Sequence, residues 1–194
     1  MELWNLTKEL KESHNCLAYA MNLVDSKMVK KCKDTVNCDV GFPQPGYASG
    51  HKQISGKKGC IDMVSRIWGD NPNVKATNFI SKCPFGTSKI ALIVDPNRDY
   101  HFLREDPDGY WSHKPGAMKV TRLDASNRPI LRPDRALFMY RRNKDPLLYS
   151  KFCGYYCVPR NVSLHMMSEV RQGGAFPVSE GPILHRQTRR KSRD

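Results

Sequence analysis

The chain has 194 residues, of which 39% are hydrophobic and 26% are charged, a composition typical of a soluble globular protein with a real core. No apolar run approaches the ~20 residues that a membrane-spanning helix requires. The net charge of +13 favours contact with polyanions such as nucleic acid, an acidic membrane surface or an acidic partner protein. The segment 1–6 lacks the basic and apolar regions of a secretory signal. We therefore expect an intracellular or virion protein without a signal peptide.

Cysteine usage is the next constraint. The seven cysteines lie at positions 16, 32, 38, 60, 83, 153 and 157. Because the number is odd, at least one thiol is unpaired within the monomer, and without a secretory signal we expect reduced thiols. A structural zinc site is the competing interpretation, but no CxxC pair occurs and no histidine has finger spacing. We expect no metal and no cofactor.

The N-terminal part predicts a helix that begins with a cysteine. Residues 4–10 are expected to form a lead-in strand or turn. The run 16–24 then has apolar residues at three-to-four spacing, which is the pattern of a buried helical stripe. Ser13 and Asn15 are both good N-cap residues, so the helix is expected to begin within a residue of Cys16.

A loop and a second helix follow. Residues 41–47 contain two prolines and two glycines and cannot be helical, so they predict an ordered loop near the cysteine. Gln44 and Tyr47 of this loop are the candidate substrate-contacting residues. Residues 60–68 have the apolar spacing of a helix, which the sequence Gly-Asp-Asn-Pro at 69–72 should end.

The centre of the chain predicts strands. The β-branched apolar run 89–94 indicates a buried central strand. Residues 99–105 and 110–114 should form a hairpin over a turn at 106–109, which has proline second and glycine fourth, as in a type I turn. Farther along the chain, residues 119–130 are expected to form another strand and a turn.

The hairpin is expected to bring two histidines together. With the turn centred on residues 107 and 108, His101 falls almost opposite His113 or Lys114. Paired residues have Cβ atoms about 5 Å apart, so one imidazole could orient the other. The alternative interpretation is that both are surface histidines of a polar hairpin.

The last predicted strand is residues 149–159, an aromatic and apolar core or closing strand. Alternation along it places Cys153, Tyr155 and Cys157 on one face. Beyond it, 163–194 is a Gly/Pro-punctuated basic tail, and its segment 186–194 is a candidate contact for an acidic protein or nucleic acid.

A cysteine at a helix N-terminus followed by a strand histidine is typical of a papain-type nucleophile. The helix N-terminus lowers a thiol pKa, and its free N–H groups can hold an oxyanion, with Asn15 as the cap. The plain alternative for Cys16 is a small core residue, the commonest role of a lone cysteine.

Three short motifs carry a resemblance to a known family. They are Asn-Cys-Leu-Ala-Tyr-Ala-Met-Asn at 15–22, Asp-Tyr-His at 99–101 and Gly-Tyr-Trp-Ser-His-Lys-Pro-Gly at 109–116. In order and spacing they resemble the NlpC/P60 superfamily of papain-like cysteine hydrolases. In their amino-acid sequence the motifs are similar to those of uncharacterised proteins of bacteria and large DNA viruses. The motif Asp-Cys-Ser of that superfamily is absent around Cys16.

The resemblance implies an α+β fold in which an N-terminal helix carrying the cysteine packs on a central antiparallel sheet. It implies Cys16 as nucleophile, His101 as base and His113 as the orienting residue. The separation of 85 positions from Cys16 to His101 exceeds that of compact members, so about 25–85 is expected to be an insertion within a domain of residues 1–162.

The expected function is therefore a thiol-dependent hydrolase or acyltransferase acting on an amide or ester, with a peptide, a protein or a lipid-like acyl group as substrate. Two alternatives remain open. One is a non-enzymatic structural or interaction protein on the same fold, for example a component of a viral particle. The other is a basic nucleic-acid-binding module, against which the aromatic residues lie mostly in apolar strands.

Overall fold

The computed structural model describes residues 2–35, 38, 40–140 and 146–170. The described helices are α1 (Glu2–Leu6), α2 (Lys8–Ser13), α3 (Cys16–Met21), α4 (Ser26–Lys33) and α5 (Cys60–Asp70). The strands are β1 (Lys75–Thr77), β2 (Thr87–Asp95), β3 (Asp99–Glu105), β4 (Trp111–His113), β5 (Met139–Tyr140), β6 (Leu147–Leu148) and β7 (Lys151–Pro159). None of the described helices is long and apolar enough to cross a membrane.

Five strands form one antiparallel sheet in the order β1-β7-β2-β3-β4, and β5 and β6 form a separate two-stranded ribbon. Helix α3 packs against β3, and α5 packs against β7. The expected α+β class with an antiparallel sheet is confirmed. The sheet forms because β2 is buried along most of its length and pairs with a long strand on each side.

The two faces of the sheet bury different clusters. On one face, Leu92 and Phe102 pack with α3 and α5, and on the other, Ile93 and Leu103 pack with Trp111. Strand alternation produces this division, since neighbouring residues of a strand point to opposite faces. In β3, even-numbered residues such as Phe102 therefore lie on one face of the sheet, and odd-numbered residues such as Leu103 lie on the other.

The predictions of α5, β2 and β3, and of a strand at β7, are confirmed, but the N-terminal elements differ. Residues 4–10 form parts of two short helices rather than a strand or turn, because the Thr7 hydroxyl accepts from the Leu10 amide and caps α2. Helix α3 ends at Met21, three residues early, because Asn22 adopts a left-handed conformation with φ of 54°. Helix α4 was not predicted.

Two strand predictions need correction. Residues 119–130 form isolated bridges, two to β4 and one between Leu123 and Pro129, instead of a continuous strand. In β7 the pairing skips Cys153, because Leu92 lies opposite Gly154 and Ile93 opposite Phe152. This bulge breaks the alternation, so Cys153 packs with the α3 side of the core and Tyr155 with the other side.

The expectation of reduced thiols is wrong for six cysteines. Disulfides join Cys32 to Cys38, Cys60 to Cys153 and Cys83 to Cys157, and Cys16 is a free, buried thiol. The second and third bridges tie α5 and the loop before β2 to the same strand, β7. Spacing could not reveal these pairs, because partners 93 and 74 residues apart meet only after the sheet has formed.

Candidate active site

Cys16 lies at the first position of α3, where the sequence placed it. The Asn15 side chain caps the helix by accepting from the Ala18 amide at 3.2 Å, and it donates to the Pro43 carbonyl at 2.8 Å. The predicted cap is confirmed, and the loop 41–47 lies beside it. An oxyanion role for Asn15 stays a prediction.

The Cys16 thiol is closed off from solvent. Its residue is 5% exposed, and burial raises the pKa of the thiol to about 12, because a thiolate is poorly solvated in an apolar environment. The backbone of Phe102 lowers this pKa in part, which places the thiol beside β3. The expected lowering of the thiol pKa by the helix N-terminus is outweighed by burial.

The two predicted histidines are in contact. His101 Nε2 and His113 Nδ1 are 2.7 Å apart, and both rings are buried. The register differs from the prediction, since His113 pairs with Leu103 and His101 lies diagonally from it on the same face. The reason is that an Asp106–Tyr110 hydrogen bond closes the loop one residue later than assumed.

The hydrogen bonds assign the protons of this pair. His113 Nε2 lies 3.0 Å from the Leu123 carbonyl, which can only accept, so this nitrogen carries the proton of the neutral ring. His113 Nδ1 then accepts, and His101 Nε2 donates to it. The remaining nitrogen, His101 Nδ1, keeps its lone pair. Burial lowers the pKa of both rings, with His113 lowering that of His101 further.

The thiol and the histidine pair lie toward opposite faces of β3 and, in the part of the chain that the structure describes, share no hydrogen bond. Tyr100 and Phe102 pack in the same cluster as Cys16, whereas His101, between them in β3, packs against Phe138 and Tyr149. Among the described residues no hydrogen bond joins Cys16 to His101. The thiolate–imidazolium pair is therefore not formed here, since burial favours the neutral form of both groups.

The candidate substrate residues contribute to closing the site. The Gln44 side-chain oxygen accepts from the Tyr100 hydroxyl at 2.7 Å, and Tyr47 is buried. On the other side the Tyr149 hydroxyl donates to Asp99 at 2.7 Å, and its ring centre lies 5.4 Å from that of His101. A substrate role for Gln44 and Tyr47 stays a prediction.

Lys114 is a residue whose position the sequence did not reveal. Its side chain is fully buried, and its ammonium group donates to the carbonyls of Lys11, His14 and Gly116 at 2.5 to 2.6 Å. It therefore ties the segment before Cys16 to the end of β4. In the sequence, Lys114 lies between a predicted strand and the Pro-Gly pair at 115–116. This pattern is equally typical of an exposed turn, so it does not indicate a buried lysine.

Acid is expected to destabilise the fold through its buried histidines. His14 Nε2 accepts from the Asp25 amide, and burial lowers the pKa of His14 to about 4. The unfolded chain, with a histidine pKa near 6.5, binds more protons, so stability is complete at neutral pH and lost as the pH falls. His14 alone should remove about 2 kcal/mol from the free energy of unfolding between pH 7 and pH 5.

His101 and His113 act in the same direction as His14, whereas Asp70, whose pKa burial raises, opposes them. Urea titrations at several pH values would measure this slope. The variant His14→Gln keeps an acceptor but does not titrate, so its slope should be smaller than that of the parent. Equal slopes for the two proteins would contradict the assignment to His14.

The tail predicted as a contact for acidic proteins or nucleic acid, 186–194, lies outside the described residues. The start of the predicted tail, around residues 165–167, contacts the rest of the domain: Asn71 exchanges hydrogen bonds with His165, and Gln44 forms a β-bridge with Met167. No cluster of three or more potential metal ligands occurs in residues 2–35, 38, 40–140 and 146–170. The domain division stays a prediction.

Comparisons with known proteins identify a relative. Over 155 residues the chain is 32% identical to insoluble matrix shell protein 1 of Ruditapes philippinarum, and the match covers 79% of this chain and 84% of that protein. The chain belongs to the family of this shell protein. No family model matches the chain, and no solved structure matches it. Family membership thus comes from a protein whose name describes a matrix component.

Proposed function

We propose that this protein is a secreted, disulfide-stabilised structural component of an extracellular matrix. The observation that carries the proposal is the pairing of six cysteines, since disulfides form and persist in oxidising compartments outside the cytosol. The name of its relative, an insoluble matrix shell protein, supports the same assignment. This proposal replaces the expected intracellular or virion location.

The state of Cys16 supports a non-enzymatic role. A nucleophilic cysteine requires a thiolate and access for the substrate, whereas this thiol is buried, has a raised pKa and has no hydrogen bond to His101. In this proposal Cys16 is a small core residue at the start of α3.

Fractionation of the producing organism tests the proposal. Antibodies against the purified chain should detect it in extracellular, detergent-insoluble material, and non-reducing peptide mass spectrometry should find all three disulfides. A protein recovered from the cytosol with reduced thiols would contradict the proposal. As a matched control, the variant Cys16→Ser should be secreted and oxidised like the parent.

A second candidate is a thiol-dependent hydrolase or acyltransferase on a papain-like fold of the NlpC/P60 type. One observation favours it. In the hydrogen-bond chain, His101 donates to His113 and His113 donates to the Leu123 carbonyl, which leaves a lone pair on His101 Nδ1, as a general base requires. Activity would then need a rearrangement of β3 that brings this nitrogen, which now faces Phe138 and Tyr149, to the Cys16 thiol. The substrate would be an amide or ester of a peptide, protein or lipid-like acyl group.

Alkylation of Cys16 separates the two candidates. With the thiol pKa near 12, iodoacetamide at pH 8 should modify the folded protein at least about a hundredfold more slowly than the urea-unfolded, oxidised protein. Only one thiol per chain should react, and Cys16→Ser should remove the signal. Fast alkylation of folded protein that His101→Ala slows would instead contradict the non-enzymatic role of Cys16 and support the hydrolase.

A further inference from the structure

We propose that the exposed face of α4 binds a linear sulfated polysaccharide. Four of the eight residues of this helix are lysines, and all four are exposed: Lys27, Lys30, Lys31 and Lys33. Met28 and Cys32 are buried on the opposite side, so the helix is anchored by its apolar side and presents its four lysines outward. The inference rests on the proposed extracellular function and names its partner.

The positive charge of this lysine face is not neutralised locally. In the described part of the chain, none of its four ammonium groups forms an ion pair or a hydrogen bond with a carboxylate. The nearest carboxylates in sequence are the caps: Asp25 accepts from the amides of Lys27 and Met28, and Asp34 follows the last turn. Four like charges within about 9 Å of helix, at 1.5 Å per residue, favour a polyanion.

The anchoring of α4 suits a fixed binding surface. The helix packs against α2, and the Cys32–Cys38 bridge ties its last turn to the segment that follows. The lysines therefore project from a helix whose backbone is fixed in position, although each side chain keeps its own flexibility. Flexible point charges along a line match the closely spaced sulfates of a chain-like polymer better than a single small anion.

The residue types on the lysine face argue against other polyanions. Surfaces that bind single-stranded nucleic acid combine cations with aromatic stacking platforms, and α4 contains no aromatic residue. Protein interfaces need an apolar buried centre, and membrane-surface helices need an apolar face directed at the lipid. The outward face of α4 has neither, so a polymer that is itself charged and hydrated is the partner that fits.

Heparin is the probe for this proposal. A variant with Lys27, Lys30, Lys31 and Lys33 all changed to Gln keeps helix propensity and removes four charges. At 0.15 M NaCl its affinity for heparin should be at least tenfold lower than that of the parent, and it should elute from heparin resin at lower salt. The control variant changes four other exposed lysines to Gln: Lys52, Lys57, Lys75 and Lys119.

The control has the same net charge as the α4 variant but should retain most of the parent's affinity. Equal losses in the two variants would overturn the proposal in favour of net charge alone. Equal binding of desulfated heparin, or tighter binding to phosphatidylserine vesicles, would also overturn it. Circular dichroism and disulfide mapping check that both variants fold. Since purified oxidised protein is used, failure here leaves the fractionation result on matrix location standing.

Discussion

Replacing Cys60 and Cys153 together by serine is expected to lower the free energy of unfolding by about 4 kcal/mol. The bridge joins residues 93 apart, and a crosslink that closes so long a loop strongly restricts the unfolded chain. The pair Cys83 and Cys157, 74 residues apart, should give a loss of similar size. Both bridges end on β7, which pairs with β1 and β2, so their loss loosens the middle of the sheet.

Guanidinium titration of oxidised parent and variants would measure these losses. The matched control is the pair Cys32 and Cys38, which are only six positions apart in sequence, and changing both to serine should cost roughly half as much. A Cys60/Cys153 variant as stable as the parent would contradict the prediction. Mass spectrometry that finds the native thiols free would contradict the pairing itself.

Lys114→Met is expected to cost about 3 kcal/mol of stability. Methionine fills similar volume but donates no hydrogen bonds, so the carbonyls of Lys11, His14 and Gly116 would each lose a donor in a buried setting. Part of this cost is offset, because burial disfavours the ammonium group and lowers its pKa to about 8. The measurement is the free energy of unfolding at pH 7 from urea titration.

The control for Lys114 is Lys119→Met, the same chemical change at an exposed lysine five positions later, which should change stability by less than about 0.5 kcal/mol. A loss below 1 kcal/mol for Lys114→Met would show that water or a local shift satisfies the three carbonyls. Alkylation of Cys16 in the same variant provides a second readout. Because Lys114 holds the segment before α3, its loss should expose the thiol and accelerate the reaction.

Local patterns in the sequence were sufficient for several elements. The apolar run of β2, the hairpin motif of β3 and β4, and the spacing of α5 each reflect a buried face, which a periodicity of two or near 3.6 reveals. The start of α3 was equally clear, because Asn15 is a strong cap. Helix α4 escaped notice because its many lysines hide the short apolar stripe of Met28 and Cys32.

The candidate site could be predicted only in part. The contact between His101 and His113 followed from the hairpin, even though the register was displaced, since diagonal residues on one face can still touch. The separation of Cys16 from His101 could not follow, because it depends on which face of β3 receives α3. That choice is made by the packing of Tyr100 and Phe102 against the helix.

By itself the sequence determined the segments that bury a face, the position of Cys16 at a helix start and the closeness of two histidines across a turn. Only the tertiary structure decided which cysteines pair, that the Cys16 thiol is closed off and that Lys114 is a buried anchor. The physical reason is the distance along the chain over which each interaction acts. Periodicity and capping act within a few residues, whereas disulfides, desolvation and carbonyl contacts of a buried ammonium arise between residues that are distant in the chain.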